Sequence, residues 1–360
     1  MKGSALFLFL VSFSQLILFT SCKSDLAAVA TSSENVHTDS GKTYGTSVKI
    51  ANWNLQTFFD STPDGTEYSG FTKNDKSWTS EKYSIRLERL CSVITQIDAD
   101  IIAFEEIENA KIIYDIINNY DLQGRRDKSY NYACFASEEG QAFGVALLSR
   151  YPILDYSVHQ VDVRSEKDDS GVLISQPRMR PVLKALVQIE NTVFSVYVCH
   201  WKSKSSGAEA SEIWRNYSEN QLAYLISKDT NHVFITGDFN RDLKEFNINT
   251  STSKFGFVGS VELGRLELTN ALLSDSVLIN SAWLSESATS CYETEGTYFY
   301  QERWEKLDHF FFSNDITLKS FSTVKFEENT TESGTPYRYS VWNGKGVSDH
   351  LPIVCVIGFL

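Results

Sequence analysis

The sequence predicts an α/β fold with a large, sheet-rich core, and three observations predict it. The chain has 360 residues, 42% of them hydrophobic and 22% charged, and a chain of that size buries roughly three quarters of its unfolded surface. Its 23 Phe, 17 Tyr and 7 Trp favour sheets over a helical bundle, because rings pack well on a pleated, half-buried surface. Apolar runs of strand length recur from residue 48 onward, with few stretches of helical period between them. With 19 Gly and 6 Pro, collagen-like and low-complexity classes are excluded. A net charge of −13, from 33 basic and 46 acidic residues, means that no global basic field draws in nucleic acid, so any polyanion site is local.

The first 21 residues read as an export signal. Lys2 precedes a fifteen-residue apolar stretch from Ala5 to Phe19, followed by Thr20-Ser21 and Cys22. That stretch is too short to span a bilayer comfortably. A cysteine directly after a small pair resembles a bacterial lipobox, in which Cys22 is lipidated and becomes the mature N-terminus; the alternative is an ordinarily secreted protein. The expected location is the cell envelope, at the outer membrane or cell surface, with membrane contact through that lipid only. Residues 22–47 are Ser/Thr-rich and lack hydrophobic periodicity, as a flexible tether does. Residues 48–360 form the expected domain, read as a monomer. Cys91, Cys134, Cys199, Cys291 and Cys355 form no CxxC pair, so a zinc cage or redox motif is not indicated. Cys91, Cys199 and Cys355 sit in apolar runs and read as buried thiols, and an odd count leaves at least one thiol free whatever disulfide forms.

Residues 48–54 (VKIANWN) form the first strand. Tyr83, Leu87, Leu90, Ile94 and Ile97 make a helical stripe over residues 80–97, with Ser80 and Glu81 suited to its start. Residues 101–106 (IIAFEE) are an apolar run ending in carboxylates, typical of a strand buried on both faces. Runs at 143–149, 181–189 and 192–200 follow, the last two joined by a tight turn at Glu190-Asn191. Residues 209–228 read as a helix and 232–240 as a strand running into a loop, and late strands lie at 307–313 and 351–360. Residues 55–79 and 240–300 are long and less regular, the kind of segment that carries substrate contacts.

Several strands end in polar residues of one chemical kind: Asn54, Glu105-Glu106, His200, Asp238 with Asn240, Asp308, and Asp349-His350. Lying side by side, these groups meet in one cleft. Carboxylates and an amide oxygen suit a hard divalent cation such as Mg²⁺, and histidines beside further aspartates supply proton transfer and charge for a phosphoryl transition state. Each piece also has an ordinary reading. Asn54 would cap a turn, residues 105–108 would be an acidic first helical turn, and Gly237-Asp-Phe-Asn240 a plain turn. The ordered set is what carries the chemistry.

That set resembles the endonuclease/exonuclease/phosphatase superfamily, the deoxyribonuclease I-like fold. The matching stretches are KIANWNLQ (49–56), IIAFEEIEN (101–109), GVALLSRYPI (144–153), RP at 180–181, VCHWKSK (198–204), ITGDFN (235–240), KLDHFFFS (306–313) and VSDHLPI (347–353). The resemblance implies a four-layer sandwich, two face-packed β-sheets flanked by helices. It implies Asn54 and Glu106 as principal Mg²⁺ ligands, with Asp349 joining them and Mn²⁺ or Ca²⁺ as alternative ions. Asp238 would activate or orient the attacking water, Asn240 would hold Asp238 and contact the phosphate, and Asp308 would pair with the catalytic His350 across adjacent strands. His200 matches the second histidine of the family and Arg180 a phosphate contact. Glu105 stands where the family usually has glutamine, adding a negative charge, and Phe143 stands near the place of a glutamate that partners the second histidine in deoxyribonuclease I. The partner of His200 is therefore open. His309 is expected to point away from Asp308.

Members of this superfamily cut DNA or RNA, split sphingomyelin, or remove phosphates from inositides and nucleotides. The leading expectation is a Mg²⁺-dependent endonuclease acting on DNA, or on RNA. Its strand would lie along a basic strip of Lys202 in HWKSK with Arg178, Arg180 and Arg215, extended by Arg125, Arg126 and Lys128. The alternative is a phospholipid phosphodiesterase or phosphatase, which needs an aromatic membrane-insertion hairpin. TYFYQERW (297–304) is the nearest candidate and reads equally as the strand before Asp308. A non-catalytic surface binding lipoprotein is the third reading, and a complete catalytic set argues against it.

Overall fold

In the computed structural model the apolar runs become strands of two mixed sheets, described over residues 47–72, 77–120, 124, 128–164, 171–173, 175–249, 265–270, 275–285 and 295–359. The export signal, Cys22, the tether as far as residue 46, Arg125, Arg126 and Cys291 lie outside those residues. Strand β1 (Ser47–Phe58) leads into helix α1 (Ser80–Ile97), β2 (Ile101–Ile107) and helix α2 (Ala110–Tyr120). Then come β3 (Tyr132–Ala136), β4 (Gly144–Ser149), β5 (Ile153–His159), β6 (Val182–Ile189) and β7 (Thr192–His200). Helix α3 (Ala208–Ser227) precedes β8 (His232–Asp238), β9 (Asn247–Asn249), β10 (Arg265–Asn270) and β11 (Asp275–Ser281). Last are β12 (Tyr298–Tyr300), β13 (Arg303–Glu305), β14 (Asp308–Phe312), β15 (Ile316–Thr323) and β16 (Ile353–Phe359).

One sheet has the order β15-β16-β1-β2-β4-β3, the other β5-β6-β7-β8-β14-β11-β10-β9, and β12-β13 is a separate hairpin. Among the described strands, β1 pairs with β2 in parallel and so does β7 with β8. A parallel pair needs a crossover connection, and α1 and α3 are those crossovers. Thr79 caps α1, accepting from the Lys82 amide at 3.2 Å, one residue before the start expected from Ser80 and Glu81. Helix α2 was not anticipated by the sequence reading.

Alternation along the strands explains the core. Val48 and Ile50 of β1, Ile101 and Ala103 of β2 and Ile353, Cys355 and Ile357 of β16 join residues of the second sheet in one apolar cluster. Trp53, Leu55, Ile102 and Phe104, at the intervening positions, are equally buried on the face covered by the flanking helices. On the far side α3 contributes Leu222, Ala223 and Ile226 to the core, and Glu219 accepts from the Thr269 amide of β10 at 2.9 Å. The segment 240–300 is more regular than its sequence suggests, since it supplies β9, β10 and β11 to the second sheet. Cys91, Cys134, Cys199 and Cys355 are all buried free thiols.

Candidate active site

Register brings the polar strand ends together, in two rows rather than one. In the first sheet Asn54 stands opposite Glu105. In the second, His200, Asp238 and Asp308 are successive partners across β7, β8 and β14. Asn52, Asn54 and Glu105 continue the inward-facing positions of β1 and β2, so the two rows meet between the sheets. The Asn54 amide donates to Asp238 Oδ2 at 2.9 Å across that gap. Gly237 makes the β7–β8 approach possible. Its φ is +144°, and a Cβ there would fall 1.9 Å from the Cys199 carbonyl oxygen, so only glycine fits.

His350 precedes β16 in the first sheet, whereas Asp308 opens β14 in the second. The expected pairing therefore exists, but between sheets and not between adjacent strands: His350 Nδ1 lies 2.7 Å from Asp308 Oδ2. The Trp53 indole donates to the His350 carbonyl at 2.8 Å and fixes the backbone. Burial alone would strip the imidazolium of its proton. The Asp308 charge and hydrogen bond, with Asp238 and Asp349, outweigh it and hold the His350 pKa well above the ordinary value.

Asp238 is the hub. Its Oδ2 is 3.6 Å from His200 Nε2 and 4.0 Å from His350 Nε2. The Asn240 amide N–H donates to its Oδ1 at 2.8 Å and the Asn240 side chain to Oδ2 at 3.1 Å. Asn240 adopts φ +48° to do so, a conformation asparagine tolerates. Burial, against the opposing charge of His350, raises the Asp238 pKa. His200 is buried, with neither ring nitrogen hydrogen-bonded among the described residues. Its nearest carboxylates are Asp238 and Glu106, the latter at 3.8 Å. Burial first, then the charges of Arg180, His350 and Lys202, push its pKa well down, so it is neutral.

Glu105 differs from expectation. It is fully buried, accepts from Asn52 at 3.2 Å, and has a second oxygen with no partner among the described residues. Burial, then Asp308 and Asp238, push its pKa well up. It is a neutral acid and does not add the negative charge expected of it. Glu106 stands at the mouth beside it: it takes φ +59°, turns out of the strand, and accepts from the Thr57 amide at 2.6 Å. Gln56 and Thr57 also lie at positive φ, and Arg86 of α1 straps that bend, donating to the carbonyls of Leu55 at 2.7 Å and Thr57 at 3.0 Å.

A hard cation fits this donor set, because Glu106 and Asp238 present carboxylate oxygens with the Asn54 amide between them. As placed, the Asn54 side chain offers its nitrogen to Glu106 at 3.4 Å and to Asp238, while its oxygen accepts from the Gln56 amide at 2.9 Å. Ligation requires the amide to turn over, which exchanges two nearly isosteric atoms. Asp349 stands apart from Glu106 in the described contacts, bound to Arg338 at 2.7 Å.

Of the basic strip, Arg180 donates to the Trp201 carbonyl at 2.8 Å, and both Arg180 and Lys202 lie close enough to act on His200 electrostatically. Arg178 is exposed. Arg215 does not belong to the strip: it is buried and donates to the carbonyls of Lys202 and Ala208 at 3.0 and 2.8 Å. Lys128 pairs with Asp98 at 2.5 Å. His309 is buried and bonds the Arg241 carbonyl at 2.9 Å. The sequence reading missed Tyr298, whose ring lies 5.0 Å from that of His350, and Arg338, which also reaches the Tyr298 hydroxyl at 3.3 Å. Neither carries a local signal. Asn52 had one, two residues before Asn54 on the same face.

Two face-packed mixed sheets, with helices outside and carboxylates, amides and histidines gathered where their strands end, define a deoxyribonuclease I-like α/β sandwich. The chain belongs to the Endonuclease/Exonuclease/phosphatase family, whose family model matches residues 49–357. No curated protein sequence matches it. Among solved structures, an endonuclease/exonuclease/phosphatase from Bacteroides vulgatus is similar with a TM-score of 0.53 at 15% identity, over 88% of this chain and 100% of that one. D. rerio TDP2 complexed with single strand DNA product gives 0.53 at 13% identity, over 87% and 99%. The human Nocturnin catalytic domain with bound sulfate anion gives 0.50 at 15% identity, over 87% and 95%. At such identities the likeness concerns the fold alone.

Proposed function

We propose that this protein is a divalent-cation-dependent phosphodiesterase, anchored to the bacterial envelope through Cys22, that hydrolyses nucleic acid, with DNA as its first substrate. The observation that carries this reading is Asp238 Oδ2, which faces His200, His350 and Asn54 within 4.0 Å. A base, an acid and a candidate cation ligand thus converge on one point. Asp238, with its raised pKa, accepts the proton of the attacking water. His350, held as an imidazolium by Asp308, meets the negative charge that builds on the phosphate. Arg180 and Lys202 orient the phosphate from the side of His200. Glu106 and Asn54 would hold a Mg²⁺, which when bound would supply Lewis-acid polarisation of the phosphoryl oxygen; Asp349, tied to Arg338, would join them only on leaving that pair.

The rim favours a nucleic acid over a lipid. The rings of Tyr298 and Tyr300 are 6.2 Å apart and nearly parallel, a surface on which bases stack. The β12–β13 hairpin is present, but its exposed tip is Gln301-Glu302-Arg303, and a membrane-inserting tip is apolar. A family neighbour crystallised with single strand DNA product supports the same choice. The test is the full chain with Mg²⁺, offered plasmid DNA, RNA, sphingomyelin and inositol phosphates in parallel, with and without EDTA. DNA cleavage abolished by EDTA is expected. Turnover of the lipid alone overturns the substrate, and undiminished cleavage by metal-stripped protein overturns the cation.

A further inference from the structure

We propose a second cation site, for a hard cation such as Ca²⁺, formed by Asp64, Glu67 and Glu108, that braces the segment carrying Tyr68 against the mouth of the active site. One carboxylate oxygen from each of the three lies within 4.8 Å of the others. A hard cation takes carboxylate oxygens as ligands, and Ca²⁺ accepts the flexible geometry that three separate side chains offer.

The independent sign of a ligand is Glu108. It is only 6% exposed, and its Oε2 accepts from the Asp60 amide at 2.7 Å and the Asn109 side chain at 3.2 Å. Its Oε1 is buried with no hydrogen-bond partner among the described residues. A carboxylate oxygen so placed is costly unless a proton or a cation meets it, and two further carboxylates beside it favour the cation. Lys111 pairs instead with Asp60 and Asp115. Asp64 is exposed, so an ion has a way in, while Glu108 forms the closed side.

The site joins two functional pieces. Glu108 follows Glu106 by two residues, and Glu67 precedes Tyr68. The Tyr68 ring packs against Phe143 at 5.1 Å and Phe59 at 5.8 Å, near enough to Arg180 and Glu106 for their charges to reach its hydroxyl. The bracing of Tyr68 rests on Glu106 belonging to the active site, whereas ion binding does not.

The test is titration of calcium chloride alone into the full chain carrying Glu106→Gln, followed by calorimetry. Substituting Glu106 removes the principal ligand of the catalytic cation and leaves the proposed site. One ion with a dissociation constant of about 10⁻³ M or tighter is expected. Adding Asp64→Asn, an exposed change, weakens it at least about tenfold. No binding up to about 10 mM, or affinity unchanged by Asp64→Asn, overturns the site. If Glu108→Gln fails to fold, the Asp64→Asn comparison still decides. If the Glu106→Gln chain binds Ca²⁺ as expected while the unsubstituted chain with Mg²⁺ cleaves no phosphodiester, the proposed function is refuted and not this site.

Discussion

His350 holds a proton inside a core that would otherwise expel it, because Asp308 lies 2.7 Å from Nδ1. His350→Ala and Asp238→Asn are each expected to lower kcat by at least about 10²-fold with little change in KM, as for contacts made in the transition state. Asp308→Asn costs less than either, and Asp308→Asn/His350→Ala is no worse than His350→Ala alone. Additive losses in steady-state kinetics show instead that the two act separately. The sign with pH follows from the raised His350 pKa: the imidazolium persists through neutral pH and is lost as pH rises through that pKa. Activity therefore falls on the alkaline side, and Asp308→Asn moves that limb to lower pH in a kcat profile. Glu105 gives the complementary case. A neutral acid bound to Asn52 is replaced by an amide at little cost, so Glu105→Gln keeps kcat within a few-fold and does not lower Tm. Glu105→Ala leaves the buried Asn52 amide unpartnered and destabilises by about 1–3 kcal/mol. A Glu105→Gln protein as unstable as Glu105→Ala contradicts the neutral assignment.

Where α3 ends and β8 begins, one carboxylate ties three elements together. Asp229 accepts from Lys184 of β6 at 2.8 Å, from the Tyr197 hydroxyl of β7 at 2.6 Å and from the Asn231 amide at 3.0 Å. Burial would raise its pKa, but Lys184, Tyr197 and Asn231 together lower it to about 2. A carboxylate depressed in the folded state stabilises above its unfolded pKa, near 4, and that contribution is lost as pH falls toward the folded value. The wild-type Tm should therefore drop between about pH 4 and pH 2 more steeply than that of Asp229→Asn. Thermal melts across that window check it, and parallel curves for the two proteins dispose of the tie. The far end of β8 needs Gly237, since β7 and β8 pair in parallel from Phe194↔His232 to His200↔Asp238. That register sets His200 beside Asp238.

For the whole chain, the anchor and the domain are expected to separate. Cys22→Ser should release the protein from membranes in detergent partitioning and leave DNA cleavage intact, whereas a variant that stays membrane-bound refutes the lipid. Much of the domain was legible along the chain. The stripe over residues 80–97 became α1, Glu190-Asn191 became the β6–β7 turn with Glu190 at φ +53°, and the polar ends of the apolar runs became the rows of the site. Periodicity, turn chemistry and residue type are properties of near neighbours, so a sequence displays them directly. Residues 240–300 hid β10 and β11 because a strand near a sheet edge is defined by its partner as much as by its own pattern. The order of residues also could not show that His350 and Asp308 come from different sheets, that Glu105 is neutral, that Arg215 turns inward to peptide carbonyls, or that Asp349 is held by Arg338. Each of these depends on burial and on charges that arrive from distant parts of the chain, and protonation and pairing respond to that surrounding field.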